Sequence, residues 1–218
     1  MRYRIKGTDI RSENAAKPAT DAAAYLVDWL RKRERTDSAL DYGCGKLRYT
    51  QHLAHRSKHI GIVDSEVQLR RIQRIGGEQT SVVEYARKQW PSHTLQYLTD
   101  FWKKSSRCYD FVLCANVLSA IPCSRTRAKS LRAIHAALKQ EGDVLFVNQH
   151  TNSYFTEVQK RPSTRAHLDG WLAESGSGAS YYGILNRESV MKLVSRFGFS
   201  VEEAWISGQS NYVLAGKS

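Results

Sequence analysis

Residues 40–49 read LDYGCGKLRY, with a carboxylate at Asp41, glycines at Gly43 and Gly45, and a basic run behind them. A short apolar run enters this segment and a helical pattern leaves it. The segment therefore reads as a strand, a glycine turn and a helix start, whose free N–H groups face a ligand. A dinucleotide fingerprint needs a third glycine for close helix–strand packing, but that place holds Arg48. No Gly-Lys-Ser/Thr follows, so a phosphate-binding P-loop is excluded as well. Two more carboxylates end apolar runs: Asp64 after HIGIV and Asp100 after TLQYLT. A carboxylate at a strand end can accept two hydrogen bonds from a diol, or cap the helix that follows. Cys44 reads as a small packing residue, and Asp41 either orients the turn or touches the ligand.

The elements that must position these groups alternate. Strands are expected at SALDY, HIGIVD, TLQYLTD, YDFVLCANVL and DVLFVNQH, the fourth apolar almost throughout, as a central parallel strand should be. Apolar residues at helical spacing predict helices at 17–33 (opened by Pro18), 47–56, 65–75, 124–142 (capped by Ser124 and stopped at Gly142) and 186–199. SVEEAWISGQSNYVLAG closes as an antiparallel hairpin. Residues 151–183 break the rhythm with Pro, Gly and Ser and read as a substrate-side insertion or lid on one domain spanning 1–218, behind an N-terminal segment and first helix over 1–36. This alternation is the pattern of a doubly wound α/β sheet.

The acid and alternating glycines at Asp41, Gly43 and Gly45 resemble the first motif of the class I S-adenosylmethionine (SAM)-dependent methyltransferases. The order of landmarks over about residues 18–216 is similar to that family, with Leu47 a departure at the third alternating position. The resemblance implies a Rossmann-like sheet of six parallel strands and an antiparallel last strand. It implies SAM as cofactor, held by Asp41, Tyr42, Gly43, Cys44 and Gly45, with Asp64 on the ribose, Asp100 near the adenine, and Asn116 and Val117 beside the ligand. Arg11 or Lys17 would then meet its carboxylate. His150 and Tyr154, just past the fifth strand, are candidates for a general base or an acceptor contact, and His150 has a purely structural reading too.

SAM carries its own electrophile, so such an enzyme has to bind, align and exclude water more than it has to supply catalytic groups. The acceptor is correspondingly hard to read. The segment Ala115-Asn116-Val117-Leu118 lacks the Asx-Pro-Pro-aromatic form of adenine N-methylation. Pro122-Cys123 lies seven residues past Ala115, far for a cytosine-type thiol nucleophile. A small molecule and a nucleotide within RNA, more than DNA, remain as acceptors. The alternative from another class is a non-catalytic methyltransferase-fold module that binds a nucleotide or a partner protein.

Charge bears on partners. Lys and Arg outnumber Asp and Glu by 33 to 21, for a net charge of +12, which attracts polyanions. The cations cluster at 31–35, 70–74, 103–107 and 125–132. Because helices after the second and fourth strands cover opposite faces, these clusters are not expected to form one stripe. The insertion interleaves Lys160, Arg161, Arg165 and His167 with Trp171, Tyr181 and Tyr182, a composition that suits base stacking or a lid over an aromatic acceptor. No apolar run approaches the ~18 residues of a membrane span. No signal-peptide core precedes residue 20, and the four cysteines form no C-x-x-C pair, so a cytoplasmic protein with reduced thiols, no membrane and no metal is expected.

Overall fold

The computed structural model describes residues 1–104, 108–150, 153–175 and 178–218, without the side chains of 153, 154 and 175. In chain order the elements are β1 (Arg2–Ile5), β2 (Thr8–Arg11), α1 (Ala24–Lys32), β3 (Thr36–Tyr42), α2 (Thr50–Ala54), β4 (Ser57–Asp64) and α3 (Glu66–Arg70). Then come β5 (Gln73–Ile75), β6 (Glu78–Thr80), α4 (Val82–Gln89), β7 (His93–Tyr97), α5 (Leu98–Lys104), β8 (Tyr109–Ala115) and α6 (Ser124–Ala137). The chain ends with β9 (Leu138–Gln149), α7 (Ser153–Gln159), β10 (Arg165–His167), β11 (Gly170–Ser175), β12 (Gly178–Gly183), α8 (Arg187–Ser195), β13 (Phe199–Ser207) and β14 (Ser210–Lys217).

Seven strands form the central sheet in the order β13-β14-β9-β8-β3-β4-β7. Six run parallel, and β14 lies antiparallel between β9 and β13. The order reverses at β3 and β8, so a crevice opens where the chain leaves their carboxyl ends, the usual ligand position in such sheets. Alternation along β3 explains the two-sided core. Leu40 and Tyr42 join Phe101 of α5 and Leu131 and Ile134 of α6 on one face. Ala39 joins Leu26 and Leu30 of α1, Leu53 of α2 and Ala86 of α4 on the other.

Several expected elements are shorter than their apolar spacing, each for a tertiary reason. The first helix begins at Ala24, and Pro18 leads only a 3-10 turn, Ala19–Asp21. There the Arg48 guanidinium takes the Asp21 carbonyl and the Ala23 N–H donates to the Tyr49 hydroxyl, drawing the first turn off the helix path. Leu47 adopts a left-handed conformation (φ +61°), so α2 starts only at Thr50. The 65–75 helix stops at Arg70, and the chain folds into the β5–β6 hairpin about Gly76-Gly77. Helix α4, absent from the expected elements, carries a full Ser81/Glu84 capping box. The strand expected to end on Asp100 ends at Tyr97. The N-cap of α6 is Cys123 rather than Ser124. Gly142 lies inside β9, where an added Cβ would stand 2.9 Å from the Tyr109 carbonyl oxygen, so it serves close strand approach and not a helix stop.

The largest departure is a second sheet. Hairpin β1–β2 joins strands of the 151–183 insertion in the order β1-β2-β12-β11-β10. β2 and β12 run parallel through a bridge between Ile10 and Ala179.

Candidate active site

The β3 turn leaves the sheet with Gly43 at φ +77° and Gly45 at φ +56°, backbone that L side chains adopt only at a cost. A Cβ on Gly43 would stand 2.4 Å from Cγ2 of Val117. The glycine is thus required by both backbone and space. Val117 reaches it because Asn116, also left-handed at φ +59°, turns the chain sharply at the end of β8. Asn116 is anchored on both sides: its N–H donates to the Val147 carbonyl (2.7 Å), and its side-chain oxygen accepts the Gln149 N–H (2.9 Å).

Asp64 closes the turn from the neighbouring strand. One carboxylate oxygen accepts the Gly45 N–H (2.9 Å) and the other the Ser65 N–H (2.6 Å). A carboxylate has about four acceptor positions, so two remain for a ligand. Burial pushes its pKa up, opposed by those two N–H groups. Asp41, one strand over, is buried and accepts a hydrogen bond from the Thr50 hydroxyl. Burial raises its pKa to about 7, Thr50 pulling the other way and the Asp64 charge adding to the rise. Gln68, only 1% exposed, donates to the Gly45 carbonyl (2.6 Å) and leaves its own Oε1 without a partner.

These groups border one cleft of about 880 Å³, its open mouth included. Of the residues expected around the cofactor, Asp41, Tyr42, Gly43, Cys44, Gly45, Asp64, Asn116, Val117 and Lys17 all line it. Asp100 does not. It sits on the exposed face of α5, 3.8 Å from Lys103, and Leu98 is what that segment turns inward to the cleft. Arg11 is also outside the lining, exposed on β2, because hairpin alternation turns its neighbour Ile10 inward instead. His150 is not a lining residue either. Its N–H donates to the Gln209 carbonyl (3.0 Å) and its Nδ1 is buried without a partner. The side chain of Tyr154 lies outside the described residues.

The cleft has a wall that motif reading did not find. Tyr3, Ser12, Glu13, Ala15 and Ala16 cover it from the N-terminal hairpin and the turn after it. The Ser12 hydroxyl donates to the Ala120 carbonyl (2.9 Å) and Arg71 to the Glu13 carbonyl (2.8 Å), pinning that wall to both sides of the crevice. The Tyr3 phenol is held protonated, its pKa raised chiefly by burial. Arg48, absent from the expected cofactor set, borders the cleft with a buried Nε–H that has no partner. Cys123 does not line the cleft. Burial pushes its thiol pKa up, but hydrogen bonds with the Thr126 hydroxyl and the first N–H groups of α6 bring it below the ordinary value. Among the described residues no group of three or more His, Cys, Asp or Glu is placed to hold a metal, and no helix is long and apolar enough to cross a membrane.

The strand order, with its antiparallel β14, and a cleft over a glycine turn define a Rossmann-like methyltransferase fold. A methyltransferase-domain family matches residues 12–204, and the chain belongs to that family. It is 38% identical to an uncharacterized Escherichia coli (strain K12) protein, YmfD, over 99% of this chain and 96% of that one. Among solved structures it resembles a Burkholderia thailandensis 1,6-didemethyltoxoflavin-N1-methyltransferase with bound 1,6-didemethyltoxoflavin and S-adenosylhomocysteine. The TM-score is 0.64 at 14% identity, covering 91% of this chain and 80% of that one. It also resembles an S-adenosylmethionine-dependent methyltransferase from Clostridium acetobutylicum, with a TM-score of 0.63 at 13% identity and 94% of each chain covered.

Proposed function

We propose that the protein is a SAM-dependent methyltransferase acting on a small acceptor presented beneath the second sheet. The observation that carries this reading is the cleft bordered by the left-handed Gly43–Gly45 turn and by a carboxylate, Asp64, with unused acceptor positions. A side chain at Gly43 would collide with Val117 and one at Gly45 would press on Ala16, displacing residues that line the cleft. A diol is the ligand group that two free carboxylate positions suit. When bound, SAM supplies a methyl group on a sulfonium with a good leaving group. Asp64 would hold the ribose hydroxyls, Lys17 and Arg48, which border the cleft, would meet the carboxylate, and Asn116 and Val117 would set the floor. Tyr3 and the turn after β2 exclude water and limit the acceptor to what passes beneath them, with the neutral Tyr3 hydroxyl available as a donor. His150 lies outside the lining and has no contact with the ligand in this reading.

Calorimetric titration with SAM and S-adenosylhomocysteine tests the reading. Micromolar binding by the wild type is expected. Asp64→Ala should weaken it by about ten- to a hundredfold, the value of roughly 1.5–3 kcal/mol for hydrogen bonds to a charged group. Asp64→Asn, which keeps an acceptor for the turn, should fall between. A folded protein that binds neither ligand would sink the proposal and favour a non-catalytic binding module.

A further inference from the structure

Helices α5 and α6 pack side by side on the same face of the central sheet, opposite α1 and α2. Two basic clusters distant in sequence thereby meet in an open groove lined by Trp102, Lys103, Lys129 and Arg132 and floored by Ala133 and Ala136. The α6 sequence SRTRAKSLRAIHAA contains no carboxylate. Arg127 turns inward to Asp169, whereas Lys129 and Arg132 are exposed and have no carboxylate partner among the described residues. Asp100 lies 3.8 Å from Lys103 with both side chains largely in water, a pairing that neutralises little.

The groove combines these cations with aromatic rings. The Lys129 ammonium lies 5.7 Å from the centre of the Trp102 ring, and the Arg132 guanidinium 5.3 Å from that of Phe197. Trp102 is held in place because its indole N–H donates to the Tyr42 hydroxyl (3.0 Å). A fixed indole beside Lys129 and Arg132, neither of them in an ion pair among the described residues, offers a stacking surface for a base and charges for the phosphates on either side. Duplex binding would call for an element projecting into a DNA groove, and a membrane surface for a protruding apolar face. A recess between two helices supplies neither.

We propose that the α5–α6 groove binds single-stranded nucleic acid, with Lys103, Lys129 and Arg132 on successive phosphates and Trp102 against a base. The site is separate from the cleft and stands whether or not the cleft transfers a methyl group.

The test is fluorescence anisotropy with a short fluorescein-labelled oligouridine. Wild type is compared with Lys129→Glu/Arg132→Glu and with a charge-matched control on the opposite face, Arg31→Glu/Lys32→Glu, all four positions being exposed. Circular-dichroism melting checks that the three proteins are equally folded. For the wild type the logarithm of affinity should fall with that of salt with a slope of about −2, from roughly −0.7 for each of three phosphate contacts. The groove pair should weaken binding at least about tenfold and flatten that slope by about 1.4, while the control pair changes affinity by less than about threefold. Equal losses in the two variants would reduce the effect to net charge and overturn the proposal. So would equal affinity for a duplex of the same length, or binding only to vesicles containing anionic lipid.

Discussion

The two sheets are held by different physics. The central sheet buries large aliphatic and aromatic side chains on both faces, each worth about 1.5–3 kcal/mol when removed from water. Among the described residues, the second sheet's core cluster is only Ile10, Leu172, Ala179 and Tyr181, with Tyr3 and Ile5 packed against it. Its attachment to the rest is polar. Arg127 of α6 donates through both terminal nitrogens to Asp169, in the turn between β10 and β11, and through one of them to the Tyr181 hydroxyl (3.0 Å). Its Nε–H goes to the Ile121 carbonyl (2.9 Å), and His167 is bonded to the Pro122 carbonyl (2.7 Å). Burial of apolar area stabilises without regard to direction, whereas a forked guanidinium–carboxylate pair fixes orientation. The sheet that carries the glycine turn needs bulk stability, and the sheet that covers the cleft needs a set position.

The comparison breaks most readily at Arg127. Arg127→Met leaves Asp169 with the Tyr181 hydroxyl as its remaining side-chain partner. Because Asp169 keeps 29% of its side chain exposed, the loss should fall at or below the low end of the about 3–5 kcal/mol for breaking a buried pair. Hydrogen exchange should show β10–β12 losing protection while β3, β8 and β9 keep theirs. Uniform loss across both sheets would show that they unfold as one unit. Next in size, Gly43→Ala forces its Cβ against Val117, an overpacking cost of about 1–3 kcal/mol, to which the positive φ adds. Thermal melting should show global destabilisation, and calorimetry a loss of SAM binding, with the second sheet's exchange following the global change.

A pH-dependent effect, with little change in acid, is expected at Asp41, a carboxyl buried within the stable sheet. Its pKa near 7 lies above about 3.9 for the unfolded chain. The native state therefore holds the proton more tightly, so this contribution to stability is complete below about pH 3.9 and lost as pH rises through about 7. Asp41→Asn keeps the shape and an acceptor for Thr50. Its melting temperature should depend less on pH between 4 and 8 than the wild type's, and exceed it at pH 8 by about 2–4 °C for each kcal/mol recovered. Parallel melting profiles would place the carboxyl in contact with solvent.

Residues 36–64 show how much was legible. The apolar run, the Gly43/Gly45 spacing and Asp64 at the next strand's end follow from local pattern, because strand alternation and left-handed turns are properties of a few adjacent residues. Even the missed α4 and β5–β6 hairpin had local signals, the Ser81/Glu84 box and Gly76-Gly77. Asp100 and Arg11 lie outside the cleft lining for another reason. Which way a side chain faces depends on where its strand ends and what packs on it, and α5 begins two residues before Asp100.

By itself, the sequence determined the alternating architecture, the glycine turn and the acid beside it, since each is written in short-range spacing. Tertiary structure alone decided that residues 1–11 and 165–183 share a sheet, that Tyr3 and Glu13 wall the cleft, and that the cations of α5 and α6 line one groove. Those pairings join segments far apart in the chain, whose partners are chosen by the packing of the whole and leave no period in either segment.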